Sequence, residues 1–157
     1  MLHVLRILLI ISLGVLSSCD DELVYEENRS FTDKQWLESD KQSFEVNITD
    51  TLQACDFYFN LRHGEDYPYS NLYVFMKTEF PNGEAAKDTM EFILQNNQGK
   101  WNGSGLGDLR DNQILFKKNL RFPLKGKFVF TLEQAMREKS LSQITEVGLR
   151  IEKASAN

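Results

Sequence analysis

The sequence predicts an all-β chain: an antiparallel β-sandwich of about seven or eight strands, jelly-roll-like, with one short helix near residues 132–140. Two observations carry this. Apolar side chains recur at every second position through most of the chain, the period of a strand with one buried face rather than the 3.6 of a helix. Clusters of Gly, Pro, Asn and Asp then separate these runs at intervals expected of turns between strands.

The N-terminal segment reads apart from that domain. Arg6 gives a positive flank, Ile7 to Leu16 an apolar core of about ten residues, and Ser17 and Ser18 small residues before Cys19. Such a core is shorter than the roughly 20 residues of a membrane-spanning helix and suits a secretory signal. A cysteine where an A-x-A cleavage site would stand resembles the lipobox of bacterial lipoproteins, in which the thiol is acylated and becomes residue one. Residues 1–18 are therefore expected to be a lipoprotein signal peptide, Cys19 the lipidation site, and 19–30 an acidic tether opening on Asp20, Asp21 and Glu22. Leu23, Val24 and Tyr25 offer the alternative of a first strand beginning inside that tether. Each buried acyl CH₂ contributes about 0.8 kcal/mol, so several chains on one residue hold a domain at a bilayer. The expected address is the cell envelope, in the outer membrane by preference, with the inner membrane left open.

Residues 31–153 read as a single β-sandwich domain. Phe44, Val46 and Ile48 alternate with Glu45, Asn47 and Thr49, and Cys55, Phe57, Phe59 and Leu61 alternate with Asp56, Tyr58, Asn60 and Arg62. Asn71 to Phe80 is nearly continuous in aromatic and aliphatic residues, as in a strand covered on both faces. Thr89 to Gln95, Gln113 to Phe122, Lys127 to Leu132 and Thr145 to Glu152 complete the strands. The helix expectation rests on the helix formers between Thr131 and Leu141 and on the capping-box spacing of Thr131 and Gln134, with Leu132, Met136 and Leu141 packing over one end of the sandwich.

Composition removes several function classes. The formal charge is −5 and processing would remove Arg6, so the chain has no general attraction for nucleic acid or anionic lipid, and the acidic start of the tether is expected to keep the domain away from a negatively charged leaflet. With Cys19 acylated, Cys55 has no partner for an intramolecular disulfide, and it reads as a small core residue. His63 is the one histidine beyond the signal, in a His-Gly-Glu-Asp turn where a solvated ring is expected. That leaves no zinc site of Cys and His. The glycine cluster from Gly99 to Asp108 lacks both the dinucleotide spacing and a P-loop ending. Asp108, Asp111 and Asn112 offer oxygens for calcium, but an Asp-capped inter-strand loop is the simpler reading. His63, Asp66 and Ser70 stand near one another without a G-x-S-x-G elbow. No catalytic residue, cofactor or metal is expected, and the protein is not expected to be an enzyme.

Binding is the better supported expectation. Tyr67, Tyr69, Tyr73 and Trp101 lie in or beside predicted loops, and exposed aromatics serve either sugar stacking or protein contact; protein contact is preferred. Tyr67, Tyr69, Asn71 and Trp101, with Arg150 on a polar strand face beside Glu152, form the expected partner-binding set. Asp50-Thr51-Leu52 and Asp88-Thr89-Met90 resemble an acceptor pattern for periplasmic O-glycosylation.

The chain from Cys19 to about Lys153 resembles the GldH family of gliding motility lipoproteins. The resemblance is carried by Val24-Tyr25, Trp36, Asp50-Thr51, LRHGEDYPYSNLYVF (61–75), Asp88-Thr89 with KWNGSGLGD (100–108), and FPLKGKFVFTLEQAMREKSLSQITEVGLRIEK (122–153). It implies a non-catalytic envelope lipoprotein required for gliding and linked with the type IX secretion and motility machinery. The expected partners are the membrane, through the lipid, and envelope proteins of that machinery. A surface glycan-binding module is the alternative.

Overall fold

The computed structural model describes residues 22–155, so the signal segment and Cys19 lie outside the described residues. Ten strands are present among them: β1 (Leu23–Ser30), β2 (Gln35–Leu37), β3 (Gln42–Ile48), β4 (Ala54–Gly64), β5 (Asn71–Glu79), β6 (Ala85–Ile93), β7 (Leu109–Arg121), β8 (Gly126–Gln134), β9 (Ser140–Ser142) and β10 (Ile144–Lys153). One sheet has the order β1-β10-β4-β7 and the other β3-β8-β5-β6, while β2 and β9 form a small ribbon. Every pairing is antiparallel. Two four-stranded sheets exchanging successive strands in this way make two Greek keys, a jelly roll.

Alternation explains why the sheets face each other. Val147, Leu149 and Ile151 of β10 and Cys55, Phe57, Phe59 and Leu61 of β4 point inward from the first sheet. Phe44, Val46 and Ile48, Phe128, Phe130 and Leu132, and Leu72, Val74 and Met76 answer them from the second. Rings interlock across the gap: Phe59 stacks on Phe92 at 4.3 Å, and Phe57 meets Phe122 and Phe130 at 5.4 and 6.2 Å. Each buried ring or aliphatic side chain stabilises by about 1.5–3 kcal/mol.

Three expectations are corrected. No helix forms near 132–140; Leu132 lies in β8 opposite Gln42 and Met76, and residues 126–134 alternate in burial as a strand does. The Thr131 hydroxyl bonds Ser43 across the sheet at 3.0 Å instead of capping a helix. Gln134, fully buried, folds the next five residues into a turn by accepting from the Met136 amide at 2.9 Å and donating to the Glu138 carbonyl at 2.7 Å. Leu23 to Ser30, given to the tether, pairs with β10 as β1. Finally, β5 is buried on one face only: Tyr73 and Phe75 lie outward, and Lys87 sits over the Phe75 ring at 3.9 Å.

One glycine has a clear steric reason. Gly148 in β10 lies between Asn28 of β1 and Asn60 of β4, and Asn60 Nδ2 reaches across it to Asn28 Oδ1 at 3.1 Å. A Cβ at position 148 would stand 1.8 Å from that oxygen and 2.7 Å from the Glu27 carbonyl.

Candidate functional site

The β4–β5 turn, the β6–β7 loop and the β8–β9 turn converge at one end of the sandwich. Glu65 N donates to Asp108 O at 2.8 Å, which ties the first two together, and the Tyr69 hydroxyl donates to Glu138 of the third. Most residues singled out from the sequence lie here, but their exposure differs from expectation.

His63 is the largest departure. It is 0 % exposed, because β4 runs on past it: Gly64 N bonds Gln143 O at 2.8 Å, and Ile144 pairs opposite His63. Nδ1 donates to the Gly64 carbonyl at 2.8 Å, which leaves Nε2 an acceptor without a protein partner. Trp101 stands edge-on to the ring at 4.6 Å, and Tyr67 lies tilted against it at 5.6 Å. Burial pushes the imidazole below its ordinary value of 6.5; Arg110 acts in the same direction, while the Gly64 bond and Asp111 oppose it.

Tyr67 is a core residue, 3 % exposed, with its hydroxyl on the Asn71 carbonyl at 3.2 Å; burial raises its phenol pKa. Its ring is not offered to a partner, which corrects its place in the expected docking set. Trp101 is half-buried and held by a bridge to Gln95. Tyr69, also half-buried, packs edge-on against Tyr67 at 5.7 Å. Asn71 Nδ2 donates to Glu91 at 2.6 Å. Arg150 stands away from this group, opposite Tyr58 along β10, and pairs with Glu26 and Glu152. The rings therefore do not form one flat platform.

The remaining candidates separate as well. Asp111 holds Arg62, and Asp108 lies 3.8 Å from Lys34. Among the described residues there is no cluster of three or more acidic, His or Cys side chains spaced for a metal. Asp50 accepts the Leu52 amide at 2.8 Å, and Asp88 pairs with Lys117 at 2.6 Å while Thr89 stays exposed on β6.

Sequence reasoning missed the apolar residues that do face solvent at this end and along the sheet edges that lead from it. Leu106 is 97 % exposed at the tip of the β6–β7 loop. Ile93 and Leu115, on the edge strands β6 and β7, line a groove of about 470 Å³ with Asn102, Ser104 and Gln113. The signal for Leu106 was present: flanked by Gly105 and Gly107, it has no alternating neighbours to carry it inward. Exposed leucine and isoleucine beside half-buried aromatic rings suit contact with a protein surface.

Residues 23–151 match the model of the family described as GldH lipoprotein. The gliding motility lipoprotein GldH homolog of Christiangramia forsetii is 34% identical over 152 residues, covering 92% of this chain and 93% of that protein. Gliding motility lipoprotein GldH of Flavobacterium johnsoniae is 30% identical over 152 residues, covering 92% and 94%. Among solved structures, a carbohydrate-binding module specific for non-crystalline cellulose aligns with a TM-score of 0.41 and 4% identity over 82% of this chain and 70% of that one. A likeness of that size carries no argument about ligand.

Proposed function

The chain belongs to the GldH lipoprotein family, and from that premise we propose that it is a non-catalytic lipoprotein of the gliding apparatus that scaffolds or stabilises type IX secretion and motility components by protein contact. The observation that carries this reading is the extent of the family match, which runs from β1 into β10 and so takes in the whole sandwich. Lipid on Cys19 would hold the domain at the envelope, with the outer membrane as the proposed address. Among the described residues no helix is long and apolar enough to cross a membrane.

Leu106, Tyr69 and the Ile93–Leu115 groove supply the proposed contact surface, with Asn71 and Trp101 supporting it from behind. The test is affinity purification of the full chain from solubilised membranes of a gliding bacterium. Leu106→Asp combined with Tyr69→Ala is expected to reduce co-purified envelope proteins about tenfold, the effect of roughly 1.4 kcal/mol of lost contact, while the chain keeps its strand circular dichroism and a cooperative thermal transition. Undiminished recovery by that double variant would remove the assigned surface.

A further inference from the structure

The opposite end of the sandwich is built from different chemistry. Lys153 N donates to Glu22 O at 2.7 Å, Ala154 N donates to Ala54 O at 2.8 Å, and Ala54 pairs with Arg121. The start of β1, the end of β10, the start of β4 and the end of β7 thus lie together. Ile48 opposite Gly126 brings the β3–β4 and β7–β8 turns to the same end. Pro81 of the β5–β6 turn is also there, close enough that a Cβ on Gly126 would stand 3.0 Å from it.

The acidic chain as a whole has no attraction for anionic lipid, but the cations at this end gather on its β7–β8 side, with Glu22, Asp50, Asp56 and Glu84 on the segments around them. Lys117, Lys118, Arg121, Lys125 and Lys127 fall in one stretch that contains no Asp or Glu. Asp88 and Glu45 pair with Lys117 and Lys127 at 2.6 and 3.2 Å. Lys118, Arg121 and Lys125 have no ion-pair partner among the described residues. Lys118 and Arg121 line a polar cavity of about 510 Å³ with Gln53, Asp56, Asn119 and Ser155. Asp50 and Asp56 accept backbone amides, at 2.8 Å from Leu52 and 2.7 Å from Asn119, and their negative charge offsets part of this cation cluster. Apolar tips accompany the cations: Leu52 is 79 % exposed, and Leu120 and Leu124 are exposed beside Arg121 and Lys125.

We propose that this end faces the bilayer, with Lys118, Arg121 and Lys125 contacting anionic phospholipid headgroups and Leu52 and Leu124 entering the interface. The proposal rests on the lipid at Cys19, and chain length supports it. Cys19 precedes Glu22 by three residues, and an extended chain spans at most about 10 Å over that distance. An acylated Cys19 would therefore place the bilayer within reach of these cations, where basic side chains bind anionic lipid and leucines partition. The groove and Leu106 would then point away from the membrane, toward a partner.

The test uses the full lipidated chain reconstituted in phosphatidylcholine vesicles with or without phosphatidylglycerol, each containing a nitroxide-labelled lipid. A fluorophore is attached through Leu124→Cys or, at the far end, Leu106→Cys; Cys55 is buried and leaves the label site-specific. Quenching at 124 is expected to exceed that at 106 several-fold in phosphatidylglycerol vesicles. The combined Lys118→Gln, Arg121→Gln, Lys125→Gln variant should lose most of the difference while still floating with the vesicles and melting as before. Equal quenching at the two positions, or quenching at 124 indifferent to the triple substitution, would overturn the proposal. Failure to float with phosphatidylcholine alone would instead strike the lipid anchor, and the proposal with it.

Discussion

His63 shows how far one buried side chain can depart from the character of its sequence neighbourhood. The residues after it read as a turn, yet the ring lies inside, enclosed by Trp101 and Tyr67. Its depressed pKa has a defined thermodynamic sign. Below about pH 6.5 the unfolded chain binds a proton that the folded chain resists, so stability falls as pH drops through that range and is recovered above it. His63→Gln should therefore show a smaller fall in melting temperature between pH 7 and about pH 5 than the parent protein. A fall of equal size in the two would assign the acid sensitivity to other groups. The burial of Cys55 was legible from its alternation with Phe57, Phe59 and Leu61. That of His63 and Tyr67 was not, because it depends on the β6–β7 loop folding back with Trp101, a long-range contact with no local pattern.

Strands were legible where one face alone is apolar, as in β3, β4 and β10, since a period of two admits one register. The failure fell on β8 and its turn, where Leu132, Glu133, Ala135 and Met136 favour helix in isolation. Pairing with both β3 and β5 overrides that weak propensity. Gly148 sits at the same level of organisation, since its missing side chain lets Asn28 and Asn60 bridge above β10. Gly148→Ala should break that bridge and displace β1, with a loss of about 1–3 kcal/mol typical of overpacking. Chemical denaturation measures it, and an unchanged midpoint would mean that β1 shifts without strain.

At the scale of the molecule, the jelly roll separates two ends that the linear sequence interleaves. The basic stretch 117–127 and the glycine-rich loop are near neighbours in the chain, but β7 carries them to opposite poles. Sequence supplied the sandwich and its approximate strand number; which loops share a pole follows from strand order, which periodicity does not encode. The proposed processing at Cys19 belongs to this scale as well. The intact mass of the native form should correspond to residues 19–157 plus fatty acyl groups, and a mass matching an unmodified chain would refute anchorage. The same measurement reads any glycan on Thr51 or Thr89. One further consequence follows from Cys55, enclosed in the core with its thiol pKa raised by burial. An oxidant finds no exposed thiol at position 55 while the native state persists. A maleimide reagent would modify this position only in molecules that have opened, turning the cysteine into an internal clock for the rate at which the domain comes apart.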